Sequence, residues 1–391
     1  FRSDGLVVLD LSRLVAGNMI SLQLADYGAE VIKIEDPKKG DPLRDWRTKG
    51  IGAHWKVYAR NKKSLTLNLR DDAGKDLLKR LVAGADVMIE NYRPGTLEEM
   101  GLGPDVLQAI NRRLILVRVS GWGQDGPYRD RPGFGSLVEG VSGFAAKNGF
   151  PDRPPVLPPL AMADMIAGLY GAYAVMVALR HRDATGEGQV IDLPLLDPIF
   201  SILGPEAANW KITGQRPQRT GSQSKTASPR NAFRTRDGRW IAISASIQSM
   251  AERVYRAVGR PDMNSDPRFS TNDERIKDPD ASEAPIREFI ASRDFADVMA
   301  HFAKHEVTAA PIYDIDQFLE DPHVKARQIV VELPDDEMGA VPMHNVVPRL
   351  SASPGAIRSP APKLGQHTAE ILARVGVDEA ALAELKSAGV V

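Results

Sequence analysis

There is no cysteine in this sequence, so disulfides, thiolate metal sites and a cysteine nucleophile are all excluded. An excess of one charge is missing too. Fifty Lys and Arg face 51 Asp and Glu, leaving a formal net charge of −1. Neither nucleic acid nor an anionic membrane is therefore indicated as a partner, and any phosphate binding has to come from a local patch. Long hydrophobic runs are also absent: the longest uncharged stretch, Met165 to Leu179, has 15 residues, short of the roughly 20 that span a bilayer. The opening FRSDGLVVLDLS lacks the basic region and long apolar stretch of a signal peptide. These features predict a cytoplasmic protein. Several motifs are missing as well. The loop SRLVAGN carries one glycine where a dinucleotide fingerprint needs three, although Glu35 lies about where a ribose-binding acid would. Neither GxxxxGK[ST] nor GxSxG occurs. His301 and His305 are spaced to share a helix face, but FAK between them lacks the HExxH glutamate and no third ligand is evident. They read as a partly exposed helix face, and no metal is expected.

What the sequence does contain is an alternation. GLVVLDLS, AEVIKIE, KSLTLNL, ADVMIEN and LILVRVS read as strands, with helical stretches such as NMISLQLADYG and DDAGKDLLKRLVAG between them. Strand–helix–strand repetition implies parallel strands with helices on both faces. Residues 1–212 form this open α/β domain, and the polar stretch 213–231 reads as a linker or mobile loop. Residues 232–325, with a hairpin in FRTRDGRWIAISAS, form a smaller α+β domain, and 326–391 make a C-terminal segment.

Two places carry chemistry. Asn91, Tyr92 and Arg93 follow a strand, where open α/β sheets bind ligands, and suit an adenine nucleotide; an ordinary strand-to-helix turn would read the same way. The second is Asp164, the lone acid at the mouth of a helix that looks buried on nearly every face. Aspartate is a preferred N-cap. Yet Ala161, Ala163, Ala167, Gly168 and Gly171 are small and leave space around the carboxylate, which would then be free to attack an acyl carbon. The positive end of the helix favours its charged form.

The segments LDLSRLVAG, LADYGAEVIKIE, GDPLRDW, NKKSLTLNLR, ADVMIENYRPGTLEEMGLG, SGWGQDGPYRDRPGFGSLVEGVSG, ADMIAG, TGEGQVIDLPLLD and LGQHTAEIL occur in the order found in the class III coenzyme A transferases, and the chain resembles that family over nearly its whole length. The resemblance implies a large Rossmann-like domain, a smaller domain, a C-terminal segment returning to the large one, and two chains interlocked as a homodimer. It implies that Asp164, with Gly168 completing D-x-x-x-G, attacks an acyl-CoA thioester to give a mixed anhydride and CoA thiolate. The aspartate then passes through an aspartyl-CoA thioester before a carboxylic acid acceptor takes up the CoA. Coenzyme A is thus a substrate, and no permanent cofactor is implied. By the same resemblance Val15, Ala16, Leu67, Asn68, Leu69, Arg70, Asn91, Tyr92 and Arg93 line the CoA groove, and Trp46 borders the acyl pocket. Lys38 and Arg131 are nearby cations for the phosphates. VAGN or the 221–228 loop supplies amides for the oxyanion, and Arg44, Arg47 and Arg230 are candidates for the far carboxylate of a dicarboxylic acid.

The sequence also departs from the family. Many members have an acid directly after the aromatic of PGFGSLVEG, where Gly135 stands here, and Glu139 four residues on is the candidate substitute. GSQSKTASP replaces the glycine tetrad of formyl-CoA transferase, which argues against formyl transfer. An α-methylacyl-CoA racemase activity is the nearest alternative. Phe134 occupies the position of the racemases' histidine and cannot shuttle a proton. A CoA-binding protein without turnover is the other alternative.

Overall fold

The computed structural model describes residues 5–391. The chain divides into two compact units: one built from residues up to 145, 157–213 and 328–391, the other from 146–156 and 214–327.

The first unit is organised on a parallel sheet. Its strands are β1 (Val7–Asp10), β2 (Glu30–Glu35), β3 (Lys62–Thr66), β4 (Val87–Glu90), β5 (Ile115–Ser120) and β6 (Val190–Pro194), in the order β3-β2-β1-β4-β5-β6. That is the doubly wound order, with its reversal between β1 and β4. Side chains alternate across the sheet: Val8, Val31, Ile89 and Val117 enter one core, and Leu9, Ile32, Met88 and Leu116 the other. Before β6 the helices are α1 (Ala16–Asp26), α2 (Ala53–Tyr58), α3 (Asp72–Val82), α4 (Thr96–Glu99), α5 (Pro104–Ile110), α6 (Gly135–Val141), α7 (Phe144–Lys147) and α8 (Met162–Thr185). Two more, α9 (Leu196–Ser201) and α10 (Glu206–Thr213), follow it. The first core takes α1 and α8; the second takes leucines of α3 and α5.

At 24 residues α8 is long and apolar enough to cross a bilayer by length and composition. Its small residues are instead buried against α1 and the sheet. A Cβ on Gly168 would lie 2.5 Å from Met19 Cβ, and one on Gly171 2.5 Å from Ile20 Cδ1. These glycines let two helices approach closely; they do not leave room around Asp164, as the sequence reading had it. Nor is the helix buried all round: Leu169, Tyr170, Tyr173, Met176 and Val177 are exposed.

The C-terminal residues pack on the β3 edge. His367 N–H donates to Ser64 O, Asn68 N–H donates to Val390 O, and Ile371, Leu372 and Val390 enter the second core. In the second unit β7 (Arg230–Arg234), β8 (Trp240–Ser244) and β9 (Ala309–Ile312) form an antiparallel sheet. Its core is filled by α11 (Gln248–Ala257), α13 (Pro279–Ala291) and α14 (Phe295–Lys304), with the short α12 (Asn272–Arg275) between the first two. Residues 146–156 belong with this unit because Gly221 N–H donates to Gly149 O and Arg219 donates to the carbonyls of Phe150 and Ala146.

Candidate active site

The loop leaving β1 lies at the sheet's reversal and is clamped from two directions. Asn91, just past β4, accepts from Arg13 N–H at 2.9 Å and donates to Arg13 O at 2.8 Å. Leu14 adopts a φ of 63°, uncommon for a branched side chain, and its N–H donates to Asp41 Oδ1 at 2.9 Å. Asp41 is in turn held by Asn18 at 2.7 Å and Lys33 at 3.1 Å. Behind this loop lies a buried charge network, Asp10, Lys33, Asp41 and Lys62. Burial alone would raise Asp10, but Lys33 and Lys62, with the Ser12 and Ser21 hydroxyls, hold it below the usual carboxylate range. Burial would likewise lower Lys33, which Asp10, Asp41 and Glu35 hold above its ordinary value. For Lys62, burial and repulsion from Lys33 outweigh the pull of Asp10, taking it down to about 8. Its ammonium donates to the Asn18 carbonyl at 3.0 Å and to Asn18 Oδ1 at 2.8 Å, so the first turn of α1 is tied to three strands.

A groove of about 230 Å³ opens at the carboxyl ends of these strands. Leu11–Arg13 line it after β1, Ile34–Asp36 at the end of β2 and Lys39–Pro42 beyond it, and Leu67–Arg70 after β3, with Tyr92 and Met100 completing the wall. Of the residues singled out from sequence, it brings together Leu67, Asn68, Leu69, Arg70 and Tyr92. Others are placed elsewhere. Lys39 lines the groove and Lys38 does not, since both backbone amides wrap Asp36 and the turn sends neighbouring side chains different ways. Val15 and Ala16 are buried, Val15 in a cluster with Leu43 and Trp55. Asn91 is occupied with Arg13, and Arg93 is exposed outside the lining. The Arg131 guanidinium sits 3.8 Å from the centre of the Tyr128 ring, in the loop after β5. Ser12, Arg13, Lys39 and Met100 were not foreseen from sequence. Glu35 reaches the groove wall, but its oxygens are held by Arg44, Ser64 and the Asp41 N–H.

Asp164 lies beyond the loop, at the start of α8. Met165 and Ala161 pack on the Val15 cluster, and Ala16 O is 3.1 Å from where a Gly168 Cβ would stand. The loop therefore has the groove on one side and the first turn of α8 on the other. Asp164 is not the N-cap: Ala161 holds that position without a side-chain bond, and Asp164 is in the first turn. The missing cap is supplied by Glu139 of α6, which is buried and accepts from Ala163 N–H at 3.1 Å. The start of α6 crosses directly over Asp164, where a Cβ on Gly135 would be 2.2 Å from Asp164 Oδ2. Space at this carboxylate is thus made by Gly135. Burial pushes Asp164 up to about 6 against the hydrogen bond from its own backbone N–H, with the charge of Glu139 adding a smaller push upward. A half-buried carboxylate of raised basicity, still mostly ionised near neutrality, suits nucleophilic attack on an acyl carbon.

The remaining candidates are scattered. Trp46 is 40% exposed, with its ring edge-on to His54 at 5.2 Å. Arg44 is committed to Glu35, to the Pro362 carbonyl and to the face of Trp55, leaving no free fork for a substrate. Arg47 donates to Gly50 O, and Arg230 to the Ser222 and Gln223 carbonyls of the second unit. His301 bonds the Ala257 carbonyl and packs on Phe289.

The profile of CoA-transferase family III matches residues 4–368. Succinyl-CoA–D-citramalate CoA-transferase of Chloroflexus aurantiacus is 41% identical over 99% of this chain and 98% of its own length. Human succinyl-CoA:glutarate CoA-transferase is 33% identical over 99% of this chain and 89% of its own. Among solved structures, a CAIB/BAIF family protein from Brucella suis superimposes with a TM-score of 0.83 at 34% identity, covering 95% of this chain and 99% of that one.

Proposed function

The chain belongs to CoA-transferase family III, and from that premise we propose that it moves CoA from succinyl-CoA to a second dicarboxylic acid, with Asp164 as the covalent carrier. As a family member it is an acyl-CoA:carboxylate CoA transferase that takes CoA thioesters as co-substrates without a permanent cofactor. The choice of succinyl-CoA and a dicarboxylate follows relatives named for citramalate, malate and glutarate.

In this reading the nucleotide end of CoA lies in the strand-end groove, with the Arg13, Lys39 and Arg70 cations for its phosphates. The thioester then reaches past the Leu14 loop to Asp164. The carboxylate oxygen attacks the thioester carbonyl, the C–S bond breaks, and a mixed anhydride and CoA thiolate result. The thiolate attacks the Asp164 carbonyl, releasing the donor acid and leaving an aspartyl-CoA thioester. The acceptor carboxylate attacks that thioester, giving a new anhydride and thiolate. Attack by the thiolate on the acceptor's acyl carbon forms the product and restores Asp164. What supports the reading most is that Asp164 stands in the first turn of α8, half-buried, with the bare backbone of Gly135 against its Oδ2.

The test is capture. Protein incubated with succinyl-CoA and then hydroxylamine is expected to carry a hydroxamate on the Asp164 peptide, absent in Asp164→Ala. Unmodified wild-type protein, with deuterium entering the α-carbon of an acyl-CoA in heavy water, would replace this reading by the isomerase one.

The enzyme is further read as a cytoplasmic homodimer. Leu169, Tyr173 and Val177 are spaced four apart on the outer face of α8, with Tyr170 and Met176 beside them, and form an exposed apolar stripe. A second copy would cover it.

A further inference from the structure

We propose that Glu139 is the positioning residue for the nucleophile: α6 lays one face over the first turn of α8, fixing that turn through Ala163 and setting a second negative charge against Asp164. The inference rests on the transferase reading of Asp164. Gly135 and Glu139 are four residues apart and so share a face of α6. The first brings its bare backbone onto Asp164, where a Cβ would stand 2.2 Å from Oδ2; the second accepts from Ala163 N–H at 3.1 Å. Glu139 is 1% exposed, and among the described residues no Lys, Arg or His is paired with it. A buried carboxylate without a cation is costly, and here it adjoins the reacting group.

The charge has a chemical use. Attack by Asp164 consumes its negative charge, since both the anhydride and the aspartyl-CoA thioester are neutral at that side chain. Repulsion from Glu139 burdens the free carboxylate and not the covalent states, so it narrows the gap up to an anhydride that is otherwise uphill. A more basic carboxylate is also the better nucleophile once ionised. The other elements packed on the start of α8 bring little charge. α1 presents Ala16 and Met19, and α2 presents Tyr58, whose hydroxyl burial raises further. β5 turns Val117 and Val119 toward α8 and Arg118 to the opposite core, where it pairs with Glu90 and Glu98. α9 carries Asp197, which burial raises with Asp192 beside it.

The experiment is the pH dependence of kcat/KM with succinyl-CoA for wild type, Glu139→Gln and Glu139→Asp, each first checked for a native melting transition. The wild-type acid limb is expected near the Asp164 value of about 6. Glu139→Gln keeps an acceptor for Ala163 and removes the charge. Its limb should move down by about one unit, the size of a unit charge acting across a partly screened interior, with a lower rate on the plateau. Glu139→Asp keeps the charge and shortens the reach; its limb should stay near that of wild type while the plateau falls. A limb unmoved in Glu139→Gln, or moved equally in both variants, overturns the proposal. Hydroxylamine capture separates the two levels. A hydroxamate on Asp164 with an unmoved limb removes only the role of Glu139, whereas no hydroxamate in wild type removes the transferase mechanism beneath it.

Discussion

At Asp164 two influences oppose each other. Burial, with a smaller push from Glu139, disfavours the ion, while the hydrogen bond from its own backbone N–H favours it, and the net result is a carboxyl raised from 3.8 to about 6. A group raised above its unfolded value adds stability that is complete below the unfolded value and is lost as pH climbs through the folded one. From 3.8 to about 6 that amounts to roughly 2–3 kcal/mol. Asp164→Asn should therefore stabilise the protein against urea at about pH 7.5, with the gain vanishing near pH 4. An equal gain at both pH values would show that the ion is not the cause. The carboxylate was legible in the sequence as a lone acid in D-x-x-x-G. Its surroundings were not. Asp10, Lys33, Asp41 and Lys62 come from four separate segments, and nothing in their spacing says that their charges meet inside the sheet. Lys38 and Lys39 illustrate the same limit: adjacent lysines are equivalent in sequence until a turn sends one of them into the groove.

Among elements, α6 and α8 cross at Asp164, and the proposed chemistry is sensitive there to a single methyl group. Gly135→Ala puts a Cβ 2.2 Å from Asp164 Oδ2. The obstructed atom ends a rotatable side chain, so the carboxylate turns aside and the helices stay in place. Transferase activity is expected to fall by roughly a hundredfold or more, as misplacement of a reacting group by about 1 Å does, with little change in melting temperature. Activity close to wild type would mean that the crossing does not set the nucleophile. At Gly168 and Gly171 an added Cβ meets Met19 and Ile20 within the α1–α8 seam, and there the cost falls on packing. The strands of the first unit could be read because β-branched and leucine runs sit between helical stretches. β9, with the sequence AAPI, carries no such signal and exists through its pairing with β8. The outer face of α8 was misread as core because hydropathy does not separate a face covered by the same chain from one left exposed.

For the whole molecule, that exposed stripe is the surface on which the proposed homodimer depends. Replacing Leu169 and Tyr173 together by aspartate should convert a wild-type dimer into a monomer in sedimentation velocity, without loss of the first unit's circular-dichroism signal. A wild-type protein that sediments as a monomer would remove the dimer from the reading. The doubly wound sheet was foreseeable from the order of its elements. The excursion of 146–156 into the second unit was not, because it depends on backbone hydrogen bonds such as that from Gly221 to Gly149. The edge strand β3 has a further consequence, one of timing. Lys62–Thr66 leave the ribosome about 300 residues ahead of the chain that closes over them, which includes the Ser64 partner His367 and the Asn68 partner Val390. Until that segment is made, the nascent protein carries an open β edge able to pair with a neighbouring chain. Synthesis of residues 367–390 is thus the step that ends its exposure to aggregation.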